Sequence, residues 1–219
     1  MSLISHTSAG CCKCGSKADV TVYRSINTAD DPQLKEKVKD GSLFVWQCPE
    51  CGQANLAKYE TLYHDPDAKL MIWLTPSGDL PESEMKAVTN HAKAMGDYTL
   101  RRVGDISSLM EKLLIFDAGL DDVVIEMCKY VTRVEMAAKA GEDKATQILN
   151  LPMHFFRKGT QGDTDYITLS FPDNGKMVGC NIGFNVYEDC LGILQRNPSI
   201  KVEEGFAKVD GAWLTSLLG

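Results

Sequence analysis

The sequence has no long hydrophobic run. Its longest apolar stretches, such as Leu70–Leu74 and Leu113–Phe116, are the length of a core strand or of one helix face, whereas a helix that spans a bilayer needs about 20 apolar residues. The first ten residues are polar and contain no apolar stretch of signal-peptide length. We therefore expect no association with a membrane. We expect the protein in the cytoplasm, where cysteine thiols stay reduced.

Positive charge is also scarce. The 219 residues include 23 Lys+Arg against 30 Asp+Glu, which gives a formal net charge of -7 and a pI of about 5.1. Non-specific binding to nucleic acid depends on Lys and Arg side chains that neutralise phosphates. The basic pairs Arg101-Arg102 and Arg157-Lys158 are scattered rather than clustered. Nucleic acid is therefore not expected as a partner.

Common catalytic and nucleotide-binding motifs are missing. The chain has no G-x-S-x-G turn, no P-loop and no G-x-G-x-x-G fingerprint. We therefore predict no catalytic residue and no residue that binds an organic cofactor. One alternative is an enzyme whose active site lies in residues 140–219, where four acidic residues could supply carboxylates: Asp163, Asp165, Glu188 and Asp189. We favour a solvated surface for these four, because acidic side chains are mostly exposed.

Cysteine, by contrast, is clustered. Five of the eight cysteines lie in the first 51 residues, and four of them form two copies of the pattern C-x-x-C-G, namely Cys11, Cys14, Cys48 and Cys51. Two residues between the thiols let one tight turn aim both sulfurs at a single point. The glycine after the second cysteine tolerates the positive φ with which the chain leaves the turn. Two such turns together supply tetrahedral coordination by four thiolates, which suits Zn²⁺ or iron.

A shell of four thiolates leaves no position open for water or substrate, unlike most catalytic zinc sites. The pattern therefore predicts one structural Zn²⁺ per chain, whose binding contributes to folding. Iron is the alternative metal, since it also accepts four thiolates. Redox chemistry is the alternative to metal binding, but a redox C-x-x-C needs a βαβ context and a single active pair.

The presence of Cys12 leaves the identity of the first ligand pair undecided, because Cys12 could replace Cys11 in a C-x-C pair with Cys14. The glycine after Cys14 and the match to the second turn favour Cys11. Cys12 then occupies the position of Pro49 and is interpreted as a bystander thiol.

The apolar pattern predicts an α+β fold in three segments. Residues 1–78 form a zinc-ribbon-like β module with a short helix, residues 79–145 are mainly helical, and residues 146–219 form a small α/β segment. In the first segment we predict strands at Asp19–Ile26 and Leu43–Gln47, a helix that begins near Pro32, and a hairpin formed by Ala54–Tyr63 and Lys69–Thr75.

Beyond a linker at Pro76–Pro81, the pattern predicts a helix at Glu82–Met95, a strand at Thr99–Val103 and a helical hairpin over residues 105–140. The last segment is predicted as strands and two helices. The strands are Gln147–Arg157, Tyr166–Phe171, Met177–Ile182 and Ile200–Val209, and the helices are Tyr187–Gln195 and Ala212–Leu218.

The quoted residues resemble those of the CpXC domain family of bacterial proteins. The resemblance rests on the two C-x-x-C-G turns, hereafter the first and second knuckle, and on the segment Gly104–Lys129. It also rests on four short motifs: R-S-I-N at 24–27, D-P at 31–32, Y-H-D-P at 63–66 and L-M-I-W-L at 70–74. It covers about Gly10 to Arg133 and fades towards the C-terminus. It implies a zinc-binding module of unassigned activity with ligands at Cys11, Cys14, Cys48 and Cys51. Cys12 departs from the family, whose first knuckle often has proline there.

The closed shell and the missing catalytic motifs favour a non-enzymatic interaction module with a partner that the sequence does not name. A nucleic-acid-binding zinc ribbon is an alternative in which Trp46 and Trp73 stack on bases, although core packing is the more frequent role of such residues. The apolar stripe over 106–134 is interpreted as core, with a homodimer seam as the alternative. Asp65 in His64-Asp65 is interpreted as a turn residue that hydrogen-bonds its own backbone.

Overall fold

The computed structural model describes residues 2–78 and 81–218, and these residues form an α+β protein. The strands are β1 (Leu3–Gly10), β2 (Lys17–Asn27), β3 (Val45–Gln47), β4 (Ala54–Leu56), β5 (Thr61–Asp65), β6 (Leu70–Leu74), β7 (Thr99–Val103), β8 (His154–Gln161), β9 (Thr164–Asp173) and β10 (Lys176–Gly183). The helices are α1 (Gln33–Lys39), α2 (Glu82–Met95), α3 (Ile106–Asp117), α4 (Asp122–Ala140), α5 (Glu142–Leu149), α6 (Phe184–Arg196) and α7 (Gly211–Leu218). The predicted fold class is confirmed.

The chain packs as two compact units. One consists of Met1–Met110 with Glu203–Lys208, and the other of Glu111–Val202 with Val209–Gly219. The boundary falls inside α3, so this helix contributes residues to both units. The division of the sequence at residues 78 and 145 stays a prediction about domain boundaries.

The first unit contains a five-stranded sheet in the order β1-β2-β5-β6-β7. The pairs β1/β2 and β5/β6 are antiparallel, and β2/β5 and β6/β7 are parallel. Every residue of β6 is buried, as its continuous apolar run indicates for a strand covered on both faces. On one face, Met71 and Trp73 pack with Ala92 of α2 and with Phe206. A separate two-stranded ribbon is formed by β3 and β4.

The second unit packs helices against an antiparallel three-stranded sheet in the order β10-β9-β8. Its core includes Val124 and Cys128 of α4, Ile167 and Leu169 of β9, and Cys190 of α6. The helix α4 begins after Asp121, whose carboxylate accepts hydrogen bonds from the Val123 and Val124 N–H groups and so caps the helix. None of the helices within residues 2–78 and 81–218 is long and apolar enough to cross a lipid bilayer.

A network of buried charges joins α3 and α4 in the second unit. Lys129 Nζ lies 3.0 Å from Glu111 Oε1 and 2.7 Å from Glu126 Oε1, and Lys112 Nζ lies 2.7 Å from Asp122 Oδ2. Each of these five side chains is at most 6% exposed. The apolar periodicity correctly predicted the helical hairpin, but it gave no indication of these charges in the core.

Four predicted elements were wrong in extent or kind. Leu43 and Phe44 of the predicted strand Leu43–Gln47 lie in a short 3₁₀ helix, Ser42–Phe44, so the strand β3 begins only at Val45. Residues 147–149 belong to helix α5, which ends before Pro152, so the strand β8 begins only at His154. Residues 200–209 form no strand and make a single bridge between Ala207 and Arg101. The segment Ala54–Leu56 pairs with β3, so only Thr61–Asp65 forms the predicted hairpin with β6. Of the predicted linker, Asp79 and Leu80 lie outside the described residues.

Candidate metal centre

Two hairpin turns of the same backbone geometry carry the predicted cysteines. The first joins β1 to β2: the Cys11 N–H donates to the Ser16 carbonyl at 2.9 Å, and the Gly15 N–H donates to the Cys11 carbonyl at 3.0 Å. The second joins β3 to β4, with the same bonds from Cys48 to Gln53 and from Gly52 to Cys48, both at 2.9 Å. Gly15 and Gly52 have φ of 73° and 68°, which is the left-handed conformation that glycine adopts without strain.

The two turns bring four sulfurs together. The Sγ atoms of Cys11 and Cys51 are 3.6 Å apart, as are those of Cys14 and Cys48, and all four lie within 4.8 Å of one another. In a tetrahedral site with Zn–S bonds of about 2.3 Å, neighbouring sulfurs lie about 3.8 Å apart. All four cysteines are free thiols. The cluster therefore fits a single ion held by four thiolates, which when bound would cross-link the two hairpins.

The four cysteines differ in how far they are buried. Cys11 and Cys48 are 5% and 2% exposed, whereas Cys51 is half-buried and Cys14 is exposed. The first cysteine of each turn thus faces the protein. The sulfur cluster is open to solvent on the side of Cys14.

Polar groups around the cluster come from both hairpins. Asn55 of β4 is buried, and its amide nitrogen lies 3.7 Å from Cys11 Sγ while its amide oxygen accepts from the Cys12 N–H at 2.9 Å. The Ser16 hydroxyl lies 3.0 Å from Cys14 Sγ and 3.1 Å from Cys48 Sγ. Such outer hydrogen bonds fix the orientation of metal-binding side chains. Neither residue was predicted from the sequence, because their contacts depend on how the two hairpins meet.

The thiols have unequal acidities in the absence of an ion. The backbone N–H of Cys14, aided by other hydrogen bonds, lowers the pKa of Cys11 to about 6, and the Ser16 hydroxyl lowers the pKa of Cys48. The Gln53 N–H lowers the pKa of Cys51, but burial and the neighbouring thiols outweigh it and raise that pKa to about 12. The neighbouring thiols therefore oppose the loss of the Cys51 proton. A bound divalent cation would remove this conflict by supplying positive charge.

Cys12 lies outside the cluster. It is exposed, whereas its N–H is held by Asn55. The structure thus groups Cys11, and not Cys12, with Cys14, Cys48 and Cys51. The other three cysteines, Cys128, Cys180 and Cys190, belong to the second unit.

The residues considered for other roles are engaged elsewhere. Asp65 accepts hydrogen bonds from the Ala68 N–H at 3.1 Å and from Lys35 Nζ at 2.9 Å, as expected for a turn residue. The imidazole of His64 instead lies 3.1 Å from the Tyr98 hydroxyl. Trp73 is buried against Phe206, with ring centroids 5.1 Å apart, so it is not available for stacking on bases. Trp46 is half-buried.

The four acidic residues that the enzyme alternative would use are not grouped as metal ligands in the described part of the chain. Asp163, Glu188 and Asp189 are exposed. Asp165 pairs with Lys158 at 3.1 Å and accepts a hydrogen bond from Thr160. They are not among the groups that could hold a metal ion.

The fold and the sulfur cluster define a four-cysteine ribbon module that is compatible with metal binding. A family model described as CpXC protein matches residues 10–129, and the chain belongs to that family. This extent agrees with the resemblance that the sequence motifs indicated. No curated protein and no solved structure matches the chain.

Proposed function

We propose that Cys11, Cys14, Cys48 and Cys51 bind one structural Zn²⁺, and that the ribbon it holds together is a non-enzymatic interaction module. The observation that carries the proposal is the cluster of four free sulfurs within 4.8 Å of one another. A tetrahedral tetrathiolate site is typical of structural zinc and leaves no position for substrate.

The module has a physical need for such a cross-link. The strands β3 and β4 are three residues long, and an isolated two-stranded hairpin is marginally stable at best. Structural zinc contributes about 10–16 kcal/mol of apparent binding free energy in small zinc-folded peptides at pH 7. The ion would therefore hold the second hairpin on the first.

Metal content of untagged protein, purified without added metal, tests the site directly. We expect about one zinc per chain by elemental analysis. The double variant Cys48→Ser/Cys51→Ser should lose both the metal and the folded ribbon. The matched control is Cys12→Ser, which changes the thiol beside Cys11 and should keep a full complement of zinc. A metal-free, folded protein with four reactive thiols would overturn the proposal and favour redox chemistry, whereas iron would change the identity of the ion.

The interaction role has its own test. Catalytic turnover that is lost on a single substitution outside the four cysteines would contradict it.

Because thiolate sites need reduced cysteines, we place the protein in the cytoplasm. Self-association stays a second candidate for the partner, and sedimentation of the zinc-loaded protein distinguishes a monomer from a homodimer.

A further inference from the structure

Two strands beside the metal centre each leave one backbone edge open. The strand β2 pairs with β1 along most of its length but with β5 only over Ser25–Asn27. The strand β3 pairs with β4 alone. Within residues 2–78 and 81–218, no strand covers the rest of β2 on its second side or the outer side of β3.

The hydrogen-bond pattern shows which groups of β2 face its open side. Bonded and non-bonded pairs alternate along an antiparallel ladder. The Cys11 N–H donates to the Ser16 carbonyl, so Cys11 and Ser16 are a hydrogen-bonded pair. The next pair, Gly10 with Lys17, is therefore non-bonded, and the non-bonded pairs that follow are Ser8 with Asp19 and His6 with Thr21. The N–H and C=O groups of Lys17, Asp19 and Thr21 therefore point away from β1.

The same counting applies to β3. The bond from Cys48 to Gln53 and the bond from Ala57 to Phe44 at 2.8 Å mark the bonded pairs of this ribbon. Val45 and Gln47, which alternate with them, direct their backbone groups away from β4. The Val45 N–H is used by the preceding 3₁₀ turn, where it donates to the Ser42 carbonyl. The Val45 carbonyl and the N–H and C=O groups of Gln47 therefore point away from β4.

These two open edges line one groove. It has a volume of about 570 Å³ and is lined by Asp19, Thr21 and Tyr23 of β2 and by Val45 and Gln47 of β3. Pro49 of the second knuckle and Phe44 also line it. The volume is within the range of about 300–1,000 Å³ that is usual for ligand sites.

Tyr59, which packs on the groove residue Phe44, has a buried hydroxyl that lacks a well-formed hydrogen bond. Tyr59 packs on Phe44 with ring centroids 5.3 Å apart, and its side-chain oxygen has no good partner among the described residues. Burial raises the pKa of Tyr59 to about 12, against the smaller effect of the Tyr23 N–H beside it. The Tyr23 N–H thus also points away from β1.

We propose that this groove, hereafter the β2–β3 groove, binds an extended segment of a partner protein as an added strand. An extended backbone is the ligand whose donors and acceptors match two strand edges at once. The outward-facing groups of the groove residues from Asp19 to Tyr23 span about 13 Å, the length of a strand of four or five residues. Val45, which is 50% exposed, offers an apolar contact to one side chain of that segment. The inference rests on the proposed function, because the metal would hold β3 opposite β2.

Strand addition makes a sharp prediction for Thr21. Its N–H faces the groove and takes no part in the β1–β2 ladder, so Thr21→Pro should leave the hairpin paired while removing one donor and blocking the approach of a strand. The matched control is His6→Pro, at the residue opposite Thr21 in a non-bonded pair. That change removes the equivalent N–H on the outer edge of the same hairpin.

The experiment uses the zinc-loaded full-length chain and a pool of capped heptapeptides in which threonine alternates with randomised residues. The tightest peptide is labelled and titrated by fluorescence anisotropy. We expect saturable binding that Thr21→Pro weakens by about tenfold or more and that His6→Pro leaves unchanged. The same peptide, N-methylated at alternate residues, should not bind the wild-type protein. The comparison of the N-methylated with the unmodified peptide uses only the wild-type protein, so it tests strand addition even if Thr21→Pro does not fold.

Several results would overturn the proposal. The first two are a peptide pool that contains no binder and peptide binding that survives N-methylation. The third is a loss of peptide binding in His6→Pro but not in Thr21→Pro. The fourth is a dimer of the protein that Thr21→Pro dissociates, which would make a second copy of the chain the occupant of the groove. Zinc content is measured on the same samples. Zinc with no peptide binding refutes the groove alone, whereas peptide binding without zinc refutes the proposed structural metal alone.

Discussion

At the scale of residues, the cysteines were predictable and their surroundings were not. The pattern C-x-x-C-G appears in the sequence itself, and the four predicted residues are those whose sulfurs cluster. Asn55 and Ser16 have no such signature. Asn55 meets Cys11 and Cys12 from more than 40 positions away, through a contact between two hairpins that no local pattern encodes.

Asn55→Ala tests this outer contact. The substitution removes the acceptor of the Cys12 N–H and a donor to Cys11 Sγ, so the first knuckle loses the group that orients it. We expect zinc affinity to fall by about 10–100-fold, measured by competition with a chromophoric chelator. The control is Gln53→Ala, whose side chain only donates to the Ala54 carbonyl. Equal affinity in Asn55→Ala and the wild type would show that the contact does not position the thiolates.

At the scale of elements, strongly periodic segments were predicted well and weakly patterned ones were not. The hairpin of α3 and α4 follows from apolar residues at helical spacing. The strand β1 was missed because it is an edge strand with mostly exposed, polar residues. The predicted strand at residues 200–209 failed because its apolar residue Phe206 is buried against β6 and α2 by packing alone. Apart from one bridge, the segment has no strand partner.

The buried charges between α3 and α4 give this element a predicted pH dependence. Burial alone would raise the pKa of Glu111, but Lys129, His154 and the Phe155 N–H outweigh it and lower that pKa to about 2. The folded-state pKa is therefore below the unfolded one of about 4.3. The stabilisation is present above pH 4.3 and is lost as the pH falls towards 2.

We therefore expect Glu111→Gln to lower the free energy of unfolding by about 3 kcal/mol at pH 7, with a difference from the wild type that shrinks below pH 4. Urea unfolding monitored by circular dichroism across this range measures it. Glu188→Gln, at an exposed carboxylate, is the control and should follow the wild type. A difference that stays constant down to pH 2 would show that Glu111 stabilises the hairpin by packing instead of by charge.

At the scale of the whole molecule, composition and pattern predicted the α+β class but not how the chain divides into units. The second unit has its own core of helices and three strands and contains none of the four clustered cysteines. Division into units depends on tertiary packing. Residues 203–208, for example, belong to the first unit although the second surrounds them in the sequence.

This division predicts a local response to removal of the metal. A chelator at neutral pH should speed hydrogen exchange in β1–β4, where the ion would cross-link two hairpins, and leave α4 and β8–β10 protected. Mass spectrometry of peptides from the full chain measures both regions in one sample. Simultaneous loss of protection in both units would instead mean that they unfold cooperatively.

The spacing of the two knuckles also has a consequence for synthesis. Cys11 and Cys51 are 40 positions apart, so at about 5–20 residues per second the first knuckle leaves the ribosome roughly 2–8 s before the second. During that interval the three neighbouring thiols Cys11, Cys12 and Cys14 would all be available to the same metal ion. Asn55, which holds the Cys12 backbone, arrives only after Cys51. If the chain binds zinc as proposed, we therefore expect it to settle its first ligand pair late, when the second hairpin is complete.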